Sequence, residues 1–252
     1  MRLFGLLGRS LAHSFSQVYF SQKFDRLGLA DYRYELFELP EASMLPALLV
    51  RHPELVGLNV TIPYKEQVWP YLSRVAESAA LVGAVNVIEV QASGALVGHN
   101  TDYIGFRESL RRFYPLRGNA GRALVLGTGG AAKAVLVALG ELGIPYWQVS
   151  RNPLAAHLTY HELTPEVLAA HPLIVNTTPL GTYPNVEECP HLAYECITPQ
   201  HYLFDLVYNP SETLFLRRGA AQGAHTKNGY EMLELQAEAA WNIWQGTGAG
   251  PA

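Results

Sequence analysis

The sequence is short of cysteine, of lysine and of long apolar runs. Its two cysteines, Cys189 and Cys196, form neither a disulfide framework nor a zinc set, and no metal is expected. No apolar stretch approaches the ~20 residues that a membrane span needs. No basic block exists, and 22 Asp+Glu outnumber 18 Lys+Arg for a net charge of −4. That balance counts against a nucleic-acid partner. The opening Met1-Arg2-Leu3-Phe4-Gly5 soon meets Arg9 and His13, so it does not read as a signal peptide. A cytoplasmic protein is expected. There is no internal repeat and no low-complexity segment. What remains is 252 residues that are 49% hydrophobic, enough for a large core. At roughly 150 residues per domain, one or two domains are expected.

The first part of the chain mixes βαβ units with one antiparallel pair. Leu3 to Leu7 is a short apolar run ended by Gly8, a buried strand. Ser16 precedes a helical pattern with Phe20, Phe24 and Leu27 on one face and Gly28 as its stop. Leu55 to Ile62 reads as a strand, and Pro63 suits the first turn of a following helix. Val85 to Val90 and Ala95 to Gly98 flank Ser93-Gly94 as a hairpin. Asp102 opens a helix with Phe106, Leu110 and Phe113 on one face, broken by Pro115 to Gly121. Beyond it the rhythm changes. A short buried strand at Ala123–Leu126 and further strands at Tyr146–Ser150, Leu173–Asn176 and Tyr202–Val207 alternate with helices, which implies a parallel sheet covered on both faces. A last helix runs from near Gly229 to Trp244 with Leu233, Ala237, Ala240 and Trp244 as its apolar stripe. A Gly-rich tail from Gly246 to Ala252, expected to be mobile, follows.

Gly127-Thr128-Gly129-Gly130-Ala131-Ala132 fits G-x-G-x-x-A directly after a strand and at the opening of a helix. That context is what a dinucleotide-binding turn requires. Gly127 permits the tight turn, Gly129 lets backbone approach a pyrophosphate, and Ala132 permits close helix–strand packing. The helix N-terminus supplies N–H donors and partial positive charge. The next strand ends at Ser150-Arg151-Asn152, where an NAD site usually carries Asp or Glu. Arg151 suits a 2′-phosphate instead, so NADP is favoured over NAD.

Three segments of the first part gather small polar groups. Ser14 and Ser16, two apart at a helix start, suit a carboxylate; ordinary N-capping by Ser16 is the alternative. Asn59-Val60-Thr61-Ile62-Pro63-Tyr64-Lys65 links a strand end to a helix start. Only four lysines exist in the chain, and a cation in a first helical turn opposes the helix dipole. Such a broken local rule hints at function for Lys65, the alternative being a solvated side chain. Gly98-His99-Asn100-Thr101-Asp102 is the third, with Asp102 either functional or a helix-start acid. His13 and His99 read as structural or surface histidines.

Together these segments resemble those of the shikimate dehydrogenases, in order and over nearly the whole chain. Gly8 to Ser16 is similar to the family's G-x-P-x-x-H-S-x-S-P, departing at Ser10 and at Gln17. Gly57 to Lys65 matches G-x-N-V-T-x-P-x-K, Gly83 to Asn86 matches G-A-[VI]-N, and Gly98 to Gly105 matches G-x-N-T-D-x-x-G. Asn176 to Gly181, Asp205 to Thr213 and Gly229 to Gln236 match N-x-T-x-x-G, D-x-x-Y-x-P-x-x-T and G-x-x-M-L-x-x-Q. The resemblance implies reversible reduction of 3-dehydroshikimate to shikimate with NADPH, in aromatic amino-acid (chorismate) biosynthesis. It implies that Ser14 and Ser16 hold the substrate carboxylate. Thr61, Asn86, Asp102 and Gln236 would bind the ring hydroxyls with Tyr208 alongside, and Lys65 paired with Asp102 would be the acid–base group. Gly127, Thr128, Gly129, Gly130 and Ala131 would bind the pyrophosphate, Ser150, Arg151 and Asn152 would surround the 2′-phosphate, and Leu206 and Gly229 would border the nicotinamide.

The fold so implied is α/β: an N-terminal mixed α/β substrate domain plus a C-terminal Rossmann-type dinucleotide-binding domain, with the active site in the interdomain cleft. The expected division is residues 1–101, joined by the C-terminal helix at about 230–246, and residues 102–229. A monomer or homodimer acting on a small molecule is expected. Two departures stand out. Asn152-Pro153-Leu154-Ala155 lacks the second cation that often follows the family's arginine, and Tyr183 stands where the family often has G-M. The alternatives are a quinate/shikimate dehydrogenase using NAD(P), a related enzyme acting on folate, and a non-catalytic dinucleotide sensor. Ser14, Ser16 and Gln236 count against folate; Lys65 and Asp102 together count against a sensor.

Overall fold

The computed structural model describes residues 1–11, 14–116 and 121–247. His13, part of the expected break before Gly121 and most of the tail therefore lie outside the described residues. The chain divides into two compact units, Met1–Thr101 with the chain from Ala237 on, and Asp102–Gln236.

The first unit contains β1 (Arg2–Gly8), α1 (Phe15–Arg26), β2 (Tyr32–Glu38), α2 (Leu45–Arg51), β3 (Leu55–Val60), β4 (Arg74–Val75), α3 (Glu77–Val82), β5 (Val87–Val90) and β6 (Leu96–His99). They form one mixed sheet in the order β2-β1-β3-β5-β6-β4. β1 is parallel to β2 and β3, whereas β5 runs antiparallel to both β3 and β6. Alternation along β1 decides the two cores. Leu3 and Leu7 join Leu45, Leu58 and Ile88 on one face, while Phe4 joins Phe20, Phe24, Tyr34 and Trp244 on the other. Trp244 lies against Gly57, where a Cβ would collide with the indole ring, and donates its N–H to the Ile88 carbonyl at 3.1 Å. That close approach is a physical reason for the glycine that opens the Gly57–Lys65 motif.

The second unit contains α4 (Asp102–Phe113), β7 (Ala123–Leu126), α5 (Gly130–Glu141), β8 (Tyr146–Ser150), β9 (Leu158–Thr159), α6 (Pro165–Ala169), β10 (Leu173–Asn176), β11 (Tyr202–Asp205), α7 (Leu214–Ala221) and β12 (His225–Lys227). Its last helix, α8 (Tyr230–Trp244), continues into the first unit at Ala237. The six strands are all parallel in the order β12-β11-β10-β7-β8-β9. Outward from β7, one side of the sheet holds β8 and β9 and the other holds β10, β11 and β12, the doubly wound arrangement of dinucleotide-binding sheets. β7 and β10 are buried along their whole length, as strands covered on both faces must be. Val125, Val175 and Phe204 pack under α4 and α5, and Leu124, Ile174 and Leu203 pack with Phe215 and Leu216 of α7. Among the described residues no helix is long and apolar enough to cross a membrane.

Three local expectations are corrected. No α-helix follows Pro63; residues 62–68 form successive turns, then a short 3-10 helix at Trp69–Tyr71. The Lys65 carbonyl accepts from the Val85 N–H at 2.8 Å, so this backbone oxygen is committed across the fold. Lys65 therefore opposes no helix dipole. Ser14, not Ser16, is the N-cap residue of α1, and Ser16 lies inside its first turn. Leu27 is 51% exposed, because α1 ends at Arg26 and the chain turns away at Gly28 with φ +67°.

Candidate active site

The strand directions bring one set of polar residues to one edge of the first sheet. β1 and β3 are parallel and end there, at Gly8 and Val60. β5 is antiparallel to β3 and so begins there, and β6 is antiparallel to β5 and ends there, with Val87 opposite both Asn59 and His99. Hence Ser14 and Ser16 after β1, Thr61 and Lys65 after β3, Asn86 before β5 and Asn100–Thr101 after β6 all belong to the same edge. Ligand sites of α/β sheets form at such carboxyl ends.

Each residue there is held by identifiable bonds. Ser16 hydrogen-bonds the Tyr34 hydroxyl, which donates to Asn59 Oδ1 at 2.7 Å. Burial pushes the Tyr34 hydroxyl pKa up, with the Ser16 bond opposing. The Ser14 hydroxyl makes no side-chain cap bond, and it is buried without a hydrogen-bond partner among the described residues. A buried polar group in that condition costs roughly 1–3 kcal/mol unless a ligand or water meets it. The Thr61 N–H donates to the Leu7 carbonyl at 2.9 Å. Asn86 is 3% exposed; its Oδ1 accepts from the Thr101 N–H at 2.7 Å and its Nδ2 donates to Thr101 Oγ1 at 3.0 Å. Asn100 Nδ2 donates to the Ala84 carbonyl at 2.9 Å. These bonds fix the chain that leads into Asp102. Burial holds His99 below its ordinary pKa, against the pull of Glu89 at 3.6 Å.

In the second unit, α4 and α8 cross at Gly105. A Cβ there would meet the Met232 carbonyl at 2.6 Å and the Gln236 backbone nitrogen at 2.9 Å. That approach sets the first turn of α4, which carries Asp102, against the turn of α8 that carries Gln236. The Gln236 amide donates to the Leu233 carbonyl at 2.9 Å. Gly229 touches the backbone of Leu206 so closely that a Cβ would overlap the Leu206 carbonyl, which brings these two together. Asp205 organises the strand end before them. It accepts from Asn176 Nδ2 at 2.9 Å, the Val207 N–H at 3.0 Å and Thr213 Oγ1 at 2.6 Å. Burial pushes its carboxyl up to about 6, with those three bonds opposing. Burial also raises the Tyr208 pKa.

The glycine loop opens a cavity of about 530 Å³ within this unit. Gly127, Thr128, Gly129, Ser150 and Arg151 line it; Gly130, Ala131 and Asn152 do not. Gly127 has φ +116°, and a Cβ on it would meet Thr177 Oγ1 at 2.7 Å. Gly129 and Gly130 face open space, Ala132 is fully buried, and α5 begins at Gly130. The residues therefore fit a dinucleotide: a tight turn, backbone open to a pyrophosphate, and N–H groups of the first helical turn aimed at it. Among the described lining residues there is no carboxylate, while Arg151 is exposed beside the cavity. A 2′-phosphate suits that charge better than a bare ribose does. Tyr160, His161, Thr177–Leu180 and His191 also line the cavity. Sequence reasoning assigned none of them to this cavity, although residues 177–180 lie in the Asn176–Gly181 motif. The described residues hold no cluster of His, Cys, Asp and Glu fit for a metal.

Residues 6–88 match the family described as the shikimate dehydrogenase substrate binding domain. A shikimate dehydrogenase (NADP(+)) from Clostridium beijerinckii is 38% identical over 258 residues, covering 97% of this chain and 92% of its own. The structure of shikimate 5-dehydrogenase from Thermus thermophilus in complex with NADP(H) and shikimate is 34% identical with a TM-score of 0.86, covering 98% of this chain and 94% of that one. Quinate dehydrogenase from Corynebacterium glutamicum in complex with NAD is 27% identical with a TM-score of 0.86, covering 97% and 94%. With full-length relatives of that identity, this chain belongs to the shikimate dehydrogenase family.

Proposed function

We propose that this chain catalyses the reversible, NADP(H)-dependent reduction of 3-dehydroshikimate to shikimate. The observation that carries the reading is the sheet edge at which the ends of β1, β3 and β5 gather Ser14, Ser16, Thr61, Lys65 and Asn86. The reading includes a cytoplasmic enzyme acting as a monomer or homodimer.

The residue roles follow from chemistry. The two serine hydroxyls are donors for the substrate carboxylate, and the partnerless Ser14 hydroxyl gains the bond it lacks among the described residues. Thr61, Asn86, Asp102 and Gln236 offer donors and acceptors suited to ring hydroxyls, and Tyr208 is assigned to the same substrate. Asn86 keeps its Thr101 bonds while doing so, which makes its contact pre-oriented. When bound, NADP(H) supplies the hydride. As the substrate carbonyl carbon is reduced, negative charge grows on its oxygen, and the Lys65 ammonium delivers a proton there. In the oxidation direction Lys65 takes the proton back, and Asp102 is the carboxylate assigned to this acid–base step. Gly127, Thr128 and Gly129 would hold the pyrophosphate with Gly130 and Ala131 behind them at the helix start, Leu206 and Gly229 would border the nicotinamide, and Ser150 and Arg151 would take the 2′-phosphate, with Asn152 outside the cavity lining.

The test is oxidation of shikimate by the purified protein, followed by reduced-nicotinamide absorbance, with NAD⁺ and quinate as replacements. Turnover fastest with shikimate and NADP⁺ is expected. Faster turnover of quinate with NAD⁺ would transfer the assignment to that reaction.

A further inference from the structure

We infer that His161 is a specificity-determining residue for the 2′-phosphate of the cofactor, standing in for the cation missing after Arg151. The inference rests on the proposal that NADP(H) occupies the glycine-loop cavity.

Strand pairing brings the two residues together. β8 and β9 are parallel neighbours, with Val149 opposite Leu158 and Ser150 opposite Thr159. Adjacent strands lie about 4.8 Å apart. Arg151 is the first residue past Ser150, and His161 is the second past Thr159, so both leave the same sheet edge side by side. Both line the same cavity. Arg151 acts electrostatically on Tyr160, the neighbour of His161, so its charge lies toward this turn.

The turn that presents His161 is fixed. Tyr160–Glu162 is a 3-10 turn closed by a capping box, in which the Thr159 N–H and Oγ donate to Glu162 Oε2 at 2.7 and 2.8 Å. The one carboxylate next to His161 in sequence is thereby turned back onto Thr159. By contrast, Pro153-Leu154-Ala155 after Arg151 offers no donor side chain, and Leu154 is 95% exposed. His191 also lines the cavity, but it lies outside the β8–β9 pairing that sets His161 beside Arg151. An imidazole N–H is a hydrogen-bond donor in either protonation state, so His161 can serve a phosphate oxygen throughout the working pH range.

The experiment is equilibrium titration of the purified full chain with NADP⁺ and with NAD⁺, for the wild type, His161→Ala and His161→Lys. One hydrogen bond to a charged group corresponds to roughly tenfold in affinity. The ratio of Kd for NAD⁺ to Kd for NADP⁺ should fall about tenfold in His161→Ala and recover in His161→Lys. A merely structural role would move both constants together and leave the ratio fixed. An unchanged ratio in His161→Ala overturns the inference. Shikimate turnover measured on the same wild-type sample separates the two claims. Selective NADP⁺ binding without shikimate oxidation sinks the parent proposal alone, and normal turnover with an unchanged ratio sinks this inference alone.

Discussion

Asp205 gives the most quantitative prediction. Its carboxylate is fully buried, and desolvation raises its pKa from 3.8 to about 6 despite three donated hydrogen bonds. A raised acid pKa means that the fold prefers the protonated form. The sign follows: this stability is present below about pH 4 and is lost as pH rises through about 6. The difference corresponds to roughly 3 kcal/mol, the cost of holding an ionised Asp205 at neutral pH. Asparagine is the neutral isostere of protonated aspartate. In Asp205→Asn the Oδ1 still accepts from Asn176 and Val207, and the new amide faces Thr213 Oγ1, which becomes an acceptor. The protonated wild type requires the same switch at Thr213, so the cost of that switch cancels in the pH comparison. The stability of Asp205→Asn relative to wild type should therefore improve by roughly 3 kcal/mol between pH 4 and pH 8. At about 2–4 °C per kcal/mol for a chain of this size, the gap in Tm should widen by about 6–12 °C. Thermal unfolding followed by circular dichroism at both pH values reads it. A gap that stays constant would refute the reasoning, because the carboxylate would then carry no ionisation cost.

Three further expectations follow from the same structure. Ser14→Ala should raise the KM for shikimate roughly tenfold, while Tm holds or rises slightly, since a hydroxyl with no partner among the described residues is removed. A drop of several degrees in Tm would mean that the hydroxyl has an internal partner. Gly229→Ala places a methyl on the Leu206 carbonyl, so overpacking should cost about 1–3 kcal/mol, read as a lower Tm. An unshifted Tm would mean that the backbone yields without cost. Burial lowers the His171 pKa, its bond to the Val167 carbonyl at 2.6 Å opposing and Arg122 assisting. The stability it contributes is present above pH 6.5 and lost as pH falls below that value. His171→Gln should flatten that acid limb in a pH series of unfolding midpoints.

The parallel half of the fold is legible because its central strands, β7 and β10, are buried on both faces, and β8 follows in the same strand–helix alternation. Apolar runs at Ala123–Leu126, Tyr146–Ser150 and Leu173–Asn176 delimit themselves, and each became a strand with those bounds. β2 was not legible: its burial follows no clean alternation, and polar Arg33 and Glu35 interrupt the run Tyr32–Glu38. β4 and β9 have two residues each and exist only through pairing with β6 and β8, which no local pattern announces. The turns after Pro63 escaped for a similar reason, since a long-range bond to Val85 competes with local helix formation. At the candidate site, the glycine loop and Arg151 were visible as spacing, whereas Tyr160 and His161 enter the cavity only through the β8–β9 register. Asn59 and Tyr34 support Ser16 from distant strands, and no spacing rule links them to it.

The central claim is Lys65 as the proton-transferring group. Steady-state kinetics of Lys65→Ala, with shikimate and NADP⁺ each varied, is the most direct test. Loss of proton transfer should lower kcat by at least ~10² while the KM for shikimate changes far less. A large rise in KM with an undiminished kcat would contradict the role and leave Lys65 as a binding residue only.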